Sequence, residues 1–185
     1  MSGVRITAGG LASRTKRKVP GSKIRPTTQL VKGAMFSILG DRVHNARVLD
    51  LYAGTGSLGI EAINRGAERV DFVEHNSKQC LQIKNSLEAL GFMSKCRIYR
   101  TKVKRALKLL KDDYGLLFLD PPYDDDSIDS VMYSLGESTL IHSESIVVLE
   151  HSKRRNLENS YNNLSLLRSR TYGDSCLSVY AGGSK

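Results

Sequence analysis

Apolar residues recur along this 185-residue chain in two alternating rhythms, a helical one and a short, nearly continuous one. Ahead of the first periodic segment stands Pro26-Thr27-Thr28, a helix start with a Thr as N-cap, followed by Leu30, Val31, Ala34, Met35, Ile38 and Leu39 at helical spacing. Gly40 ends that helix. Arg47 to Tyr52 then reads as a buried strand, and Ser57 to Arg65 as a helix entered through a glycine-rich turn. The same alternation predicts strands over Arg69 to Glu74, Cys96 to Thr101, Gly115 to Leu119 and Ser145 to Glu150. Helices are predicted over Ser77 to Leu90, Val103 to Lys111 and Ser127 to Leu135.

Strands separated by helices of this length imply right-handed crossovers, and hence a parallel sheet covered on both faces. The rhythm changes near the end. Leu164 to Tyr172 and Ser175 to Ala181 are strand-like runs joined at Gly173-Asp174, a turn that suits an antiparallel hairpin. The expectation is a Rossmann-like, doubly wound, mostly parallel seven-stranded α/β sheet closed by an antiparallel hairpin. No repeat or long linker appears, so residues 27–185 form one domain behind a basic arm, residues 1–26. A chain of this length buries about 70% of its extended surface on folding.

Charge sharpens the division. The net charge is +9, and residues 1–40 carry Arg5, Arg14, Lys16, Arg17, Lys18, Lys23, Arg25 and Lys32, while all 19 Asp and Glu lie further on. An acid-free basic segment mixed with Gly, Ser and Thr suits a polyanion. The bland alternative is a solvated tail. A membrane-surface helix is disfavoured because Gly9, Gly10, Pro20 and Gly21 interrupt any long amphipathic face. No run of roughly 18 apolar residues occurs, and the N-terminus lacks an apolar signal stretch, so a soluble cytoplasmic protein is expected. Cys80, Cys96 and Cys176, like the four histidines, form no metal-ligand or disulfide spacing. No metal is expected.

Two motifs carry chemistry. Asp50-Leu-Tyr52-Ala53-Gly54-Thr55-Gly56-Ser-Leu-Gly59 closes the first strand, where ligands bind in open α/β sheets. Glycines there permit a tight turn and a close backbone approach, and free amides at the next helix start favour an anionic group. Glu74, 20 residues past Gly54, can accept from ribose hydroxyls. Gly54-x-Gly56-x-x-Gly59 alone fits a nicotinamide dinucleotide equally well. Asp50 on the strand and the second motif lean toward S-adenosylmethionine.

That second motif is Asp120-Pro121-Pro122-Tyr123, directly after an apolar strand. The prolines lock their own φ angles and hold Asp120 extended. An exocyclic base amine is a poor nucleophile, because its lone pair is delocalised into the ring. The Asp120 carboxylate and the Pro121 carbonyl can hold its hydrogens, and Tyr123 can stack on the base. Attack on a sulfonium methyl then depends chiefly on positioning.

These residues resemble the class I S-adenosylmethionine-dependent methyltransferases. Ile24-Arg-Pro-Thr-Thr28, Leu49 to Ala62, Arg65-Gly-Ala67 and Leu119-Asp-Pro-Pro-Tyr123 together resemble the bacterial 16S ribosomal RNA guanine-N2 methyltransferase D family across nearly the whole chain. The resemblance implies methyl transfer to N2 of a guanine in small-subunit ribosomal RNA, within the subunit or an assembly intermediate. It implies a cofactor site of Asp50, Tyr52, Ala53, Gly54, Thr55, Gly56 and Glu74, and a catalytic set of Asp120, Pro121, Pro122 and Tyr123. Arg5, Arg14, Lys16, Arg17, Arg25 and Thr27 are the expected RNA contacts, and a monomer is the default. The family's usual acidic residue after the third strand is replaced by Arg100-Thr101-Lys102, so the adenine contact must come from backbone or another residue. Alternatives are a DNA adenine or cytosine amino-methyltransferase, a nucleotide-binding dehydrogenase and a non-catalytic RNA-binding assembly factor.

Overall fold

The computed structural model describes residues 26–183, with side chains from residue 29 onward. Five helices and eight strands alternate: α1 (Pro26–Leu39), β1 (Arg47–Leu51), α2 (Ser57–Asn64), β2 (Arg69–Glu74), α3 (Ser77–Leu90), β3 (Cys96–Arg100), α4 (Val103–Leu109), β4 (Leu116–Leu119), α5 (Ile128–Glu137), β5 (Ile146–Ser152), β6 (Ser160–Tyr161), β7 (Leu164–Tyr172) and β8 (Ser175–Gly182). The strands form one sheet in the order β3-β2-β1-β4-β5-β8-β7-β6. β1 to β5 run parallel, and β8 pairs antiparallel with both β5 and β7. The seven expected strands are present. The eighth, Ser160–Tyr161, is a two-residue pairing with Leu164 and Ser165, too short to leave a periodic signal.

The start of α1 differs from the sequence reading, whereas its end at Gly40 agrees with it. α1 begins at Pro26, so Thr27 and Thr28 lie within the first turn and neither is the N-cap. Proline suits that first position because its missing N–H would have no partner there. Gly40, in the left-handed region at φ 52°, ends α1 and opens a 3-10 turn that runs to Val43.

Residue parity assigns each strand residue to one face. Val48, Val70, Phe72, Phe118, Val148, Leu177 and Val179 point to the face under α1, α2 and α3. Leu49, Leu51, Val73, Leu117, Leu119, Val147, Leu149 and Tyr180 point to the other, under α4 and α5. Both faces are covered, so the central strands are apolar throughout rather than alternating. The strand order reverses between β1 and β4. The crevice at their C-terminal ends is where ligands of such sheets bind.

Cys96 and Cys176 are buried, Cys80 is half-buried, and all three are unpaired. Among the described residues no helix is long and apolar enough to cross a membrane. No group of three or more His, Cys, Asp or Glu among them could hold a metal ion.

Candidate active site

β1 ends in a strained corner. Tyr52 takes a left-handed φ of 64°, Gly54 follows at 55° and Gly56 at 77°. A bulky residue in that region costs of order 1–3 kcal/mol and persists only where its surroundings over-determine it. Here the surroundings are hydrogen bonds. The Ala53 amide donates to the Val73 carbonyl at 3.0 Å, and the Gly56 amide to the Ala53 carbonyl at 2.7 Å.

Two carboxylates hold the corner. Glu74, buried at the end of β2, accepts from the Gly54 amide through Oε2 at 2.9 Å and from the Asn76 amide through Oε1 at 2.7 Å. The Gln79 amide also lies within 3.2 Å of both oxygens, and His75 Nδ1 lies 3.1 Å from Oε1. Asp50 accepts from the Gly59 amide at 2.9 Å and is fully buried, which pushes its carboxyl up to about 7 against the opposing pull of that amide. Asp50 therefore braces the start of α2 from beneath.

Beyond the corner lies a cavity of about 490 Å³, lined by Tyr52, Gly54, Glu74, His75, Thr101, Lys102 and Val103 on one side and by Asp120, Pro121, Pro122, Asp125 and Ser127 on the other. Its volume lies within the range of small-molecule sites. Of the expected cofactor residues, Tyr52, Gly54 and Glu74 line it. Asp50, Ala53, Thr55 and Gly56 are not among its lining residues. Of the segment without the usual acid, Arg100-Thr101-Lys102, the residues Thr101 and Lys102 line the cavity and Arg100 does not.

Asp120, Pro121 and Pro122 line the same cavity where β4 ends. Phe118 is opposite Val148 and Leu119 opposite Leu149, so Asp120, just past the end of β4, stands beside Glu150 within β5. Asp120 is open to the cleft on one side and crowded by protein on the others. Loss of water raises its carboxyl above the ordinary range, and Glu150 and Asp50 add to the effect. Burial likewise raises Glu150, although hydrogen bonds from Ser175 and Tyr123 pull the other way.

Tyr123 stands at the rim, 52% exposed, with its hydroxyl hydrogen-bonded to Ser175 Oγ. The loop beyond it is pinned. Arg155 Nη2 donates to the Asp125 carbonyl at 2.8 Å, and the guanidinium lies 3.6 Å from Asp129. Asp125 Oδ1 accepts from the Ser127 amide at 2.8 Å and its carboxylate meets Tyr52, which ties the loop after β4 to the corner after β1.

Sequence reasoning did not single out His75, Val103, Asp125, Ser127, Glu150 or Ser175. For Glu150 a signal existed, since it sits at the C-terminal end of a predicted parallel strand, beside the crevice. Of the expected RNA contacts, Arg5, Arg14, Lys16, Arg17 and Arg25 lie outside the described residues, as does the side chain of Thr27. The backbone of Thr27 is in the first turn of α1. Further along α1, Lys32 reaches Ser57 Oγ at the start of α2 at 3.1 Å.

Residues 4–181 match the family described as conserved hypothetical protein 95. The chain is 32% identical to the YlbH protein of Bacillus subtilis over 96% of this chain and 98% of that protein. It is 30% identical to the ribosomal RNA small subunit methyltransferase D of Buchnera aphidicola, over 84% of this chain and 82% of the relative. Among solved structures, the yhhF protein of Escherichia coli superposes with a TM-score of 0.83 at 25% identity, over 98% of this chain and 99% of that one.

Proposed function

The chain belongs to the conserved hypothetical protein 95 family, with the small-subunit ribosomal RNA methyltransferases D among its relatives, and from that premise we propose that it methylates N2 of a guanine in small-subunit ribosomal RNA, with S-adenosylmethionine as donor. The observation that carries this reading is the single cavity shared by Glu74 and Gly54 on one wall and Asp120 with Pro121 on the other. A nucleoside donor and an amine acceptor could meet there.

The residues present fit the donor. Glu74 presents a carboxylate at the cavity wall where ribose hydroxyls could displace the Gln79 amide, Gly54 allows close approach, and Thr101 to Val103 form the wall available to an adenine. When bound, S-adenosylmethionine supplies a methyl group activated by a sulfonium.

Asp120 and the Pro121 carbonyl offer acceptors only, as an amine with two hydrogens requires. Holding those hydrogens lets the nitrogen lone pair turn out of the ring plane. As the nitrogen gains positive charge, a carboxylate whose pKa is raised by burial is suited to take the proton it releases. Tyr123, half-exposed beside this pair, offers a ring face on which a base swung out of its stack can rest. The basic arm would grip phosphates around that base.

The test uses labelled donor with small ribosomal subunits, free 16S ribosomal RNA and duplex DNA, followed by mass spectrometry of the nucleosides. The expected product is N2-methylguanosine from ribosomal RNA alone. Asp120→Ala should lower turnover by about 10²–10³ while donor affinity in calorimetry stays unchanged. Methylated adenine or cytosine in duplex DNA, or a fully active Asp120→Ala, would overturn the reading.

A further inference from the structure

The polar groups around Tyr123 come from distant parts of the sequence. Ser175 Oγ donates to Glu150 Oε1 at 2.9 Å, linking the start of β8 to the end of β5. A serine hydroxyl has one hydrogen, and Glu150 receives it. The Tyr123 hydroxyl is therefore the donor toward this buried pair, bonded to Ser175 Oγ and within reach of the Glu150 carboxylate, so the ring is tethered to both groups. Ser175 is 1% and Glu150 8% exposed, so the anchor is buried while the ring it holds is not.

A half-exposed tyrosine with a free hydroxyl would sample several side-chain rotamers, and ordering it on substrate binding would cost rotamer entropy. Tethering at the far end of the ring removes most of that freedom in advance while the side chain stays half-exposed. The same anchor residue, Glu150, stands beside Asp120, within the neighbouring strand. We propose that Glu150 and Ser175 are positioning residues that hold the Tyr123 ring beside Asp120, so that stacking platform and amine acceptor are presented to the target base as one rigid unit. The stacking role rests on the function proposed above; the tether does not.

The experiment uses the full-length protein labelled with 3-fluorotyrosine. Fluorine NMR identifies the Tyr123 resonance as the one that disappears in Tyr123→Phe. In the wild type it should be shifted from the free amino-acid position. Ser175→Ala should move it toward that position and leave the other tyrosine resonances in place. Glu150→Gln keeps an oxygen acceptor for Ser175 and should keep the signal where it is, whereas Glu150→Ala should release it. With a ribosomal substrate, Ser175→Ala and Tyr123→Phe should each lower kcat/KM by about tenfold, the worth of one hydrogen bond. The double variant should be no worse than either, because both remove the same link. Donor affinity should not change.

An unaltered Tyr123 resonance in Ser175→Ala, or single losses that multiply to about a hundredfold, would overturn the proposal. If Ser175→Ala disturbs the other resonances, the contrast between Glu150→Gln and Glu150→Ala decides it. A fluorine signal that responds as stated in a wild-type protein inactive on every RNA tested would keep the tether and sink the proposed function.

Discussion

At the scale of single residues, the site is a row of acids whose environments make them unequal. Glu74 is held by two backbone amides, while Asp50 lies in full burial with one. For Asp50 the folded-state value of about 7 exceeds the ordinary value of 3.8, so the folded protein binds its proton more tightly than the unfolded chain does. Its contribution is favourable below pH 4 and is lost as pH rises from about 4 to 7. Asp50→Asn keeps an acceptor for the Gly59 amide without the buried charge. The variant should therefore gain on the wild type as pH rises through that window, by on the order of a few kcal/mol at pH 7.5. Urea unfolding of both proteins at pH 4.5 and 7.5 measures this, and an equal difference at the two pH values would contradict the assignment.

At the scale of elements, the glycines of the first loop divide into distinct tasks. Gly54 and Gly56 supply left-handed corners. Gly59 instead makes room: a Cβ there would stand 2.3 Å from Phe72 Cε1 and 2.8 Å from Val70 Cγ1, both on β2 beneath α2. Phe72 is fully buried and cannot swing aside cheaply. Gly59→Ala should push α2 off the sheet and destabilise the fold by about 1–3 kcal/mol. Calorimetric unfolding should show a Tm lower by about 2–10 °C. Since α2 starts at the cofactor corner, donor affinity should fall with it. Retention of both Tm and affinity would mean that the helix can shift without consequence. The spacing of this loop was legible in the sequence, but the reason for its third glycine was not, because that reason is an aromatic ring on the next strand.

At the scale of the whole molecule, positive charge is concentrated at one end of the chain. Residues 1–40 hold eight Lys or Arg and no Asp or Glu, and we propose that this basic segment grips RNA phosphates. Replacing Arg14, Lys16 and Arg17 together by Gln should weaken binding to ribosomal RNA and flatten its salt dependence. The slope of log K against log salt should fall by about two to three units, roughly one for each phosphate that is no longer neutralised. Donor affinity should not move. Filter binding at several salt concentrations measures the slope, and an unchanged slope would return the arm to the status of a solvated tail.

The sequence by itself determined the alternation of strands and helices, the glycine corner after β1, the rigid acidic turn after β4 and the basic lead into α1. Each is written in residues that are neighbours along the chain, where periodicity, glycine and proline act locally. Only the tertiary structure decided which residues face one another across the crevice. Asp120 meets Glu150 because β5 pairs beside β4, and Ser175 meets Glu150 because β8 returns antiparallel along β5. Tyr123 and Ser175 are 52 residues apart in sequence, and no local preference of either could announce the bond between them. Strand order also separated Asp50, which braces the loop, from Glu74, which faces the cavity, although the sequence placed both at strand ends. Local propensity selects elements, whereas the order in which those elements pair fixes the chemistry between them.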